Sequence, residues 1–177
     1  MYDVDLIPLG ASARLLSLDD LAEGIQKALP TRVRLRELHI ELEETLDPSR
    51  QQYHSTLLLV KLLEHAGEGE SKLLGITAYD LFIPILTFVF GQAQLNNRAA
   101  VFSSFRLHNE FYGLPASGNV LRQRILKEAL HELGHTFGLR HCTTRPCVMN
   151  SSTYVEDIDL KPRDFCLPCI EHIRLLV

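Results

Sequence analysis

Three histidines and a glutamate fall close together in the run His131-Glu132-Leu133-Gly134-His135-Thr136-Phe137-Gly138-Leu139-Arg140-His141. On a helix, His131 and His135 are one turn apart and face the same way. Both imidazoles can then reach one metal ion at about 2.0–2.1 Å. Glu132 lies one step round the helix, where its carboxylate can touch a metal-bound water without ligating the metal. Gly138 can take φ > 0, so it can end the helix and turn the chain back, bringing His141 to the same ion. Three protein ligands leave a fourth position for water, which marks a catalytic rather than a structural zinc. A bare H-E-x-x-H also occurs on solvated helix faces that hold nothing. The offsets of Gly138 and His141 argue against that reading here.

A second group of metal-binding residue types follows at once. Cys142, Cys147, Cys166 and Cys169 are the four cysteines of the chain, arranged C-x4-C, eighteen residues, C-x2-C. Two close pairs separated by a loop suit a structural zinc held tetrahedrally by four thiolates. Two disulfides are an alternative. So is a redox pair at Cys166 and Cys169, where Leu167-Pro168 would suit the turn; it leaves Cys142 and Cys147 unexplained.

The compartment bears on that choice. The N-terminal Met1-Tyr2-Asp3-Val4-Asp5 lacks the basic and apolar regions of a signal peptide. The longest apolar run, from Leu81 to Phe90, is interrupted by Pro84 and is too short to span a bilayer. A cytoplasmic protein is expected, and there thiols stay reduced and bind metal rather than pair. The chain has 177 residues, 46% of them hydrophobic and 23% charged, which suits one soluble domain with a real core. A net charge of −4 offers no basic surface for nucleic acid, and no membrane partner is expected.

The elements that must position these residues can be read from periodicity and turn chemistry. Asp3 to Ile7 reads as a strand ended by Pro8. Ser17-Leu18-Asp19-Asp20 resembles a capping box that opens a helix through Leu29, with Leu18, Leu21, Ile25 and Leu29 on one face, stopped by Pro30. Arg32 to Leu38 alternates like a half-exposed strand. Asp47-Pro48 suits an N-cap and first helical position, predicting a helix to about Ala66. Leu73 to Tyr79, Phe88 to Gly91 and Ala99 to Arg106 read as strands. Ser117 or Asn119 can cap a helix over about Asn119 to Leu139. Its core stripe is Val120, Ile125, Leu126, Ala129, Leu130, Leu133 and Phe137. Arg122-Gln123-Arg124 reads as its solvated face. Beyond Gly138 no regular structure is evident until Pro168, the kind of segment that needs a metal staple. His39, His54, His65, His108 and His172 have no ligand spacing and read as surface or satisfied polar residues.

The extended histidine motif followed by Met149, eight residues past His141, is the metzincin pattern. Joined at once to Cys142, Cys147 and the Cys166/Cys169 pair, it resembles the archaemetzincin (archaelysin) family of zinc metalloproteases. The segments Leu74-Gly75-Ile76-Thr77 and Phe88-Val89-Phe90-Gly91 resemble its strand and edge region. The similarity covers most of the chain from Leu73 onward and is vaguer before it. The resemblance implies an α+β metzincin fold: a twisted, mostly parallel sheet with helices, an active-site helix, and a small irregular C-terminal lobe. It implies lobes over residues 1–138 and 139–177 with the cleft between them, and an edge strand near Thr87 to Ala93 that pairs with an extended peptide. Carried over by residue, it implies two zinc ions, a catalytic one on His131, His135 and His141 and a structural one on Cys142, Cys147, Cys166 and Cys169. Glu132 would be the general base and acid, and Met149 the floor under the histidine site. Some metzincins carry a transition-state tyrosine two residues after the turn methionine. Here that position is Ser151, and Tyr154 reads as a packing or surface aromatic.

The expected reaction is hydrolysis of a peptide or protein substrate, by amino- or endopeptidase action. A rival is a non-catalytic zinc-containing peptide-binding protein on the same scaffold, disfavoured because Glu132 is present without being a ligand. A thiol redox protein is a third reading. His141 and Cys142 are neighbours in the chain, so the two metal sites would be coupled through the backbone. The sequence does not give an oligomeric state, and a monomer is compatible with it.

Overall fold

The computed structural model describes residues 1–11, 13 and 17–176. β1 (Tyr2–Leu9) is buried from Val4 to Leu9, as a central strand covered on both faces must be. α1 (Leu18–Ala28) follows, with Leu21 and Ile25 turned inward. β2 (Thr31–Leu35) then pairs parallel to β1. β3 (Leu46–Asp47) and β4 (Gln52–His54) precede α2 (Ser55–Ala66). β5 (Lys72–Thr77) lies parallel to β1 on its other side, and β6 (Leu81–Phe82) is a short strand beside β4. β7 (Gly91–Ala93) and β8 (Ala99–Ser103) form a hairpin-like antiparallel pair. α3 (Gly118–Thr136), α4 (Val155–Leu160) and α5 (Leu167–Leu175) complete the chain.

The main sheet has the order β2-β1-β5-β8-β7, parallel throughout except for β7 at one edge. A three-stranded sheet, β3-β4-β6, stands beside it. Period-two alternation divides the core into two layers. Ile7, Leu9, Leu73 and Val101 face α2, where Leu58, Leu59 and Leu62 cover them. Val4, Leu6, Leu74, Ile76, Ala100 and Phe102 face α1 and α3, and Ile125, Ala129, Leu130 and Leu133 of α3 fill that layer. Val148, Met149, Val155, Ile158, Cys169 and Ile173 belong to the same apolar cluster, so the chain beyond α3 packs onto that helix. Among the described residues no helix is long and apolar enough to cross a membrane.

Most expected elements are present with shifted ends. Pro8 does not end β1, which continues to Leu9 in register with Thr77. The Asp47-Pro48 pair does not open a helix. The Asp47 carboxylate instead accepts from the Ser49 and Arg50 amides in a turn, and α2 begins only at Ser55. The local signal was an Asx turn, which uses the same side-chain chemistry as an N-cap. The strand expected at Phe88–Gly91 is displaced to Gly91–Ala93, with Val89 making only an isolated bridge to Leu81. The stretch expected to be irregular carries α4, six residues long. Its short apolar pattern, Val155 and Ile158, gave too little period to read.

Candidate active site

α3 is the scaffold of the site. Ser117 caps its N-terminus by accepting from the Val120 amide, and Gly138, at φ +88, turns the chain off its C-terminal end. The His135 carbonyl accepts from the Gly138 and Asn96 amides, and Lys72 Nζ donates to the Thr136 carbonyl. These contacts satisfy carbonyls that the helix end would otherwise leave open.

His131, His135 and His141 come together, with one ring nitrogen from each lying within 4.8 Å of the others. Nδ1 of His131 is 3.0 Å from the Val148 carbonyl and Nδ1 of His135 is 2.7 Å from the Leu139 carbonyl. A carbonyl only accepts, so both Nδ1 atoms carry the proton and both Nε2 atoms present lone pairs. Those two Nε2 atoms are 3.2 Å apart. Two ligands of a tetrahedral zinc stand about 3.3 Å apart when each bond is about 2.0–2.1 Å. Burial, with the charge of Lys161 and the neighbouring imidazoles, holds His131 well below the ordinary imidazole pKa, and burial lowers His135 and His141 too. A proton is therefore a poor mediator between these lone pairs, and a divalent metal fits.

Glu132 is buried beside the histidines, and its Oε2 has no hydrogen-bond partner among the described residues. Burial first, and Glu128 second, push its carboxyl well above the usual range, while Lys161 opposes them. Its place depends on Gly91 of β7. A Cβ there would lie 2.6 Å from Glu132 Oε1 and 2.7 Å from its Cδ. Gly134 plays the matching part beneath the helix, where a Cβ would overlap Met149 Sδ. Met149 is fully buried there, under the histidine-bearing turn.

The cysteines form the second group. Cys142 Sγ is 3.7 Å from Cys166 Sγ, and Cys147 Sγ is 3.9 Å from Cys169 Sγ. Ligands of a tetrahedral zinc–thiolate centre with bonds of about 2.3 Å stand about 3.8 Å apart, whereas a disulfide requires about 2.05 Å. All four are free thiols. The Cys142 amide donates to the Met149 carbonyl at 2.9 Å, tying this group to the segment under the histidines.

A cleft of about 640 Å³ runs along β7 and α3. Leu86, Phe88, Phe90, Gly91 and Ala93 line one side, and His131, Glu132, His135, His141, Arg140 and Ser152 line the other. The rim is fixed by a polar network: Arg50 donates to the carbonyls of Leu86 and Thr87, and Gln52 to that of Thr87. Arg106, held by Asp80 at 2.7 Å, stacks 4.1 Å over the Phe88 ring.

Comparison with known proteins agrees with this arrangement. Residues 17–175 match the family model of peptidase family M54. Archaemetzincin of Methanocaldococcus jannaschii is 44% identical over 126 residues, 71% of this chain and 68% of that one. Archaemetzincin of Haloquadratum walsbyi is 35% identical over 169 residues, 94% of this chain and 96% of that one. The crystal structure of archaemetzincin from Methanopyrus kandleri superposes with a TM-score of 0.85 at 34% identity, covering 98% of this chain and 94% of that chain. The chain belongs to peptidase family M54, the archaemetzincins. It is therefore of the zinc metallopeptidase class. A zinc-dependent peptidase from Methanocorpusculum labreanum shares the fold at a TM-score of 0.81 and 28% identity, covering 96% of this chain and 99% of that one.

Some features of this archaemetzincin site were not anticipated from sequence. Arg124 is no solvated residue. It is buried, donates to both carboxylate oxygens of Asp159 at 2.8 and 2.7 Å, and also donates to the Leu107 carbonyl. Glu128 and Lys161 form an ion pair at 2.9 Å with both side chains 3% exposed. The i, i+4 spacing of Glu128 and Glu132 was visible in the sequence, but the lysine comes from 33 residues further on (161 less 128). Tyr154 is 67% exposed at the start of α4, in keeping with a surface role. His172 Nε2 is 3.1 Å from the Phe137 carbonyl and is satisfied there.

Proposed function

We infer that the protein hydrolyses peptide bonds, with a zinc ion held by His131, His135 and His141 and with Glu132 as general base and acid. The observation that carries this reading is the facing pair of Nε2 lone pairs beside a buried, unpartnered Glu132 oxygen at the wall of an open cleft. When bound there, zinc activates a water and polarises the scissile carbonyl. Glu132 accepts the proton of the attacking water and delivers it to the leaving amine. Val148 and Leu139 fix the tautomers of His131 and His135 through their carbonyls. The substrate lies extended along β7, between a lobe over residues 1–138 and one over 139–177, and pairs with the open edge of that strand. A second zinc on Cys142, Cys147, Cys166 and Cys169 staples the C-terminal segment and holds the turn that carries His141. Reduced thiols at that site suit a cytoplasmic protein.

The experiment is hydrolysis of a mixed library of short peptides, N-terminally blocked and free, by zinc-loaded protein beside Glu132→Ala. Cleavage is expected and should fall by about 10²–10⁴-fold in the variant, the usual contribution of a positioned base. Zinc content should be unchanged. Cleavage of free but not blocked peptides would assign aminopeptidase action. No cleavage by zinc-loaded wild type, or equal cleavage by the variant, would overturn the reading.

A further inference from the structure

Glu128 and Lys161 are two buried charged groups beside the site that the proposed reaction does not use. Burying an ion pair seldom stabilises a fold, because desolvation offsets the attraction, so this pair calls for another account. Glu128 precedes Glu132 by one helical turn on α3 and lines the same cleft. Lys161 enters from the end of α4. Its Nζ lies 2.9 Å from Glu128 Oε1, yet neither atom has an aligned hydrogen bond among the described residues. No ion pair joins Lys161 to Glu132, whose Oε2 also lacks a partner. Three ionisable groups thus share one buried wall, and the ammonium is committed to Glu128 rather than to Glu132. The charge of Lys161 still bears on all three imidazoles.

We propose that Glu128 is a positioning residue that holds the Lys161 ammonium away from Glu132, so that Glu132 stays free to take a proton from water. The inference rests on the reading of Glu132 as the base. Side chains at i and i+4 on a helix are near neighbours, and a lysine stem is long and flexible. Without Glu128, the charge of Lys161 bears on Glu132 and on Asp157, and Asp157 already accepts from the Thr153 and Tyr154 amides. An ion pair with Glu132 would occupy the oxygen that the reaction needs. Arg124 and Lys127 fix the distance from which the lysine acts. Arg124 grips Asp159, and Lys127 Nζ donates to the carbonyls of Ile158 and Asp159, so the end of α4 is pinned against α3.

The test uses zinc-loaded protein carrying Glu128→Gln, alone and together with Lys161→Met. In a crystal structure of the single variant, Nζ of Lys161 is expected within 4 Å of a Glu132 oxygen. Its kcat should fall at least tenfold with KM and zinc content retained, a fraction of what loss of a general base costs. Adding Lys161→Met should restore at least fivefold of that loss, because no ammonium remains to capture the base. A merely structural pair can also recover stability in the double variant, but its lysine does not move to Glu132 in the single one. Should Glu128→Gln not fold, Glu128→Asp keeps the charge but shortens its reach, and both readouts apply: Nζ closer to Glu132, and kcat that rises on adding Lys161→Met. A lysine that stays in place, or a double variant no faster than the single, overturns the proposal. If wild type cleaves no peptide, the peptidase reading fails, and the lysine position in the crystal still decides this one.

Discussion

At the scale of single residues, the site is set by what each side chain is denied as much as by what it contacts. Glu132 has an oxygen with no partner, and His131 and His135 have their Nδ1 protons committed to backbone carbonyls. Each is left with one free function, and the two Nε2 atoms face each other at 3.2 Å. Gly91 is part of this, because its missing side chain is the space that Glu132 occupies. Gly91→Ala is expected to displace the carboxylate. A shift of about 1 Å at a reacting group can cost about a hundredfold in rate, so kcat should drop tenfold or more while the zinc content of the protein holds. Steady-state kinetics with metal analysis check this, and an unchanged kcat would remove Gly91 from the account. The histidine motif was legible in the sequence because its members share one helical turn and one short loop. Gly91 and Lys161 were not, since their contacts join residues 41 (132 less 91) and 33 (161 less 128) positions apart and no local pattern encodes them.

At the scale of elements, α3 is gripped from several sides. Lys72 reaches the Thr136 carbonyl at its C-terminal end. Arg124, Lys127 and Glu128 fasten α4 to its flank. Arg124 was read as solvent-facing because Arg122, Gln123 and Arg124 form a polar run, and three consecutive residues cannot share one face of a helix. Arg124→Ala would leave the Leu107 carbonyl, Asn109 Oδ1 and Asp159 without their donor. Removing one partner of such a buried network should cost about 3 kcal/mol of stability, to be measured by urea unfolding. A loss below about 0.5 kcal/mol, the usual effect of a surface substitution, would restore the solvated-face reading. β1, β5 and β8 were legible from their apolar runs, whereas the short strands β3, β4 and β6 and the helix α4 were not. Six residues make less than two turns, too few for a period to declare itself.

At the scale of the whole molecule, the two metal-binding groups share one stretch of backbone. His141 and Cys142 are adjacent, the Cys142 amide donates to the Met149 carbonyl, and Met149 packs against Gly134 between His131 and His135. Loosening the cysteine group should therefore loosen His141. Cys166→Ser is expected to weaken zinc binding at the histidines by about 10–100-fold, the range seen when residues supporting a ligand are changed. Competition with a chelator measures it, and unchanged affinity would uncouple the sites. The sheet order, with β5 central and β7 reversed at the edge, could not be read from any one segment. It follows from which apolar faces find each other.

Diffraction from zinc-loaded crystals, recorded on both sides of the zinc absorption edge, tests the central claim most directly, because it locates the ions without assuming their ligands. The account predicts one peak among His131, His135 and His141 with its remaining side open to the cleft next to Glu132, and a second enclosed by the four cysteines. A first peak closed by a fourth protein ligand, or no peak at the histidines under saturating zinc, would contradict it.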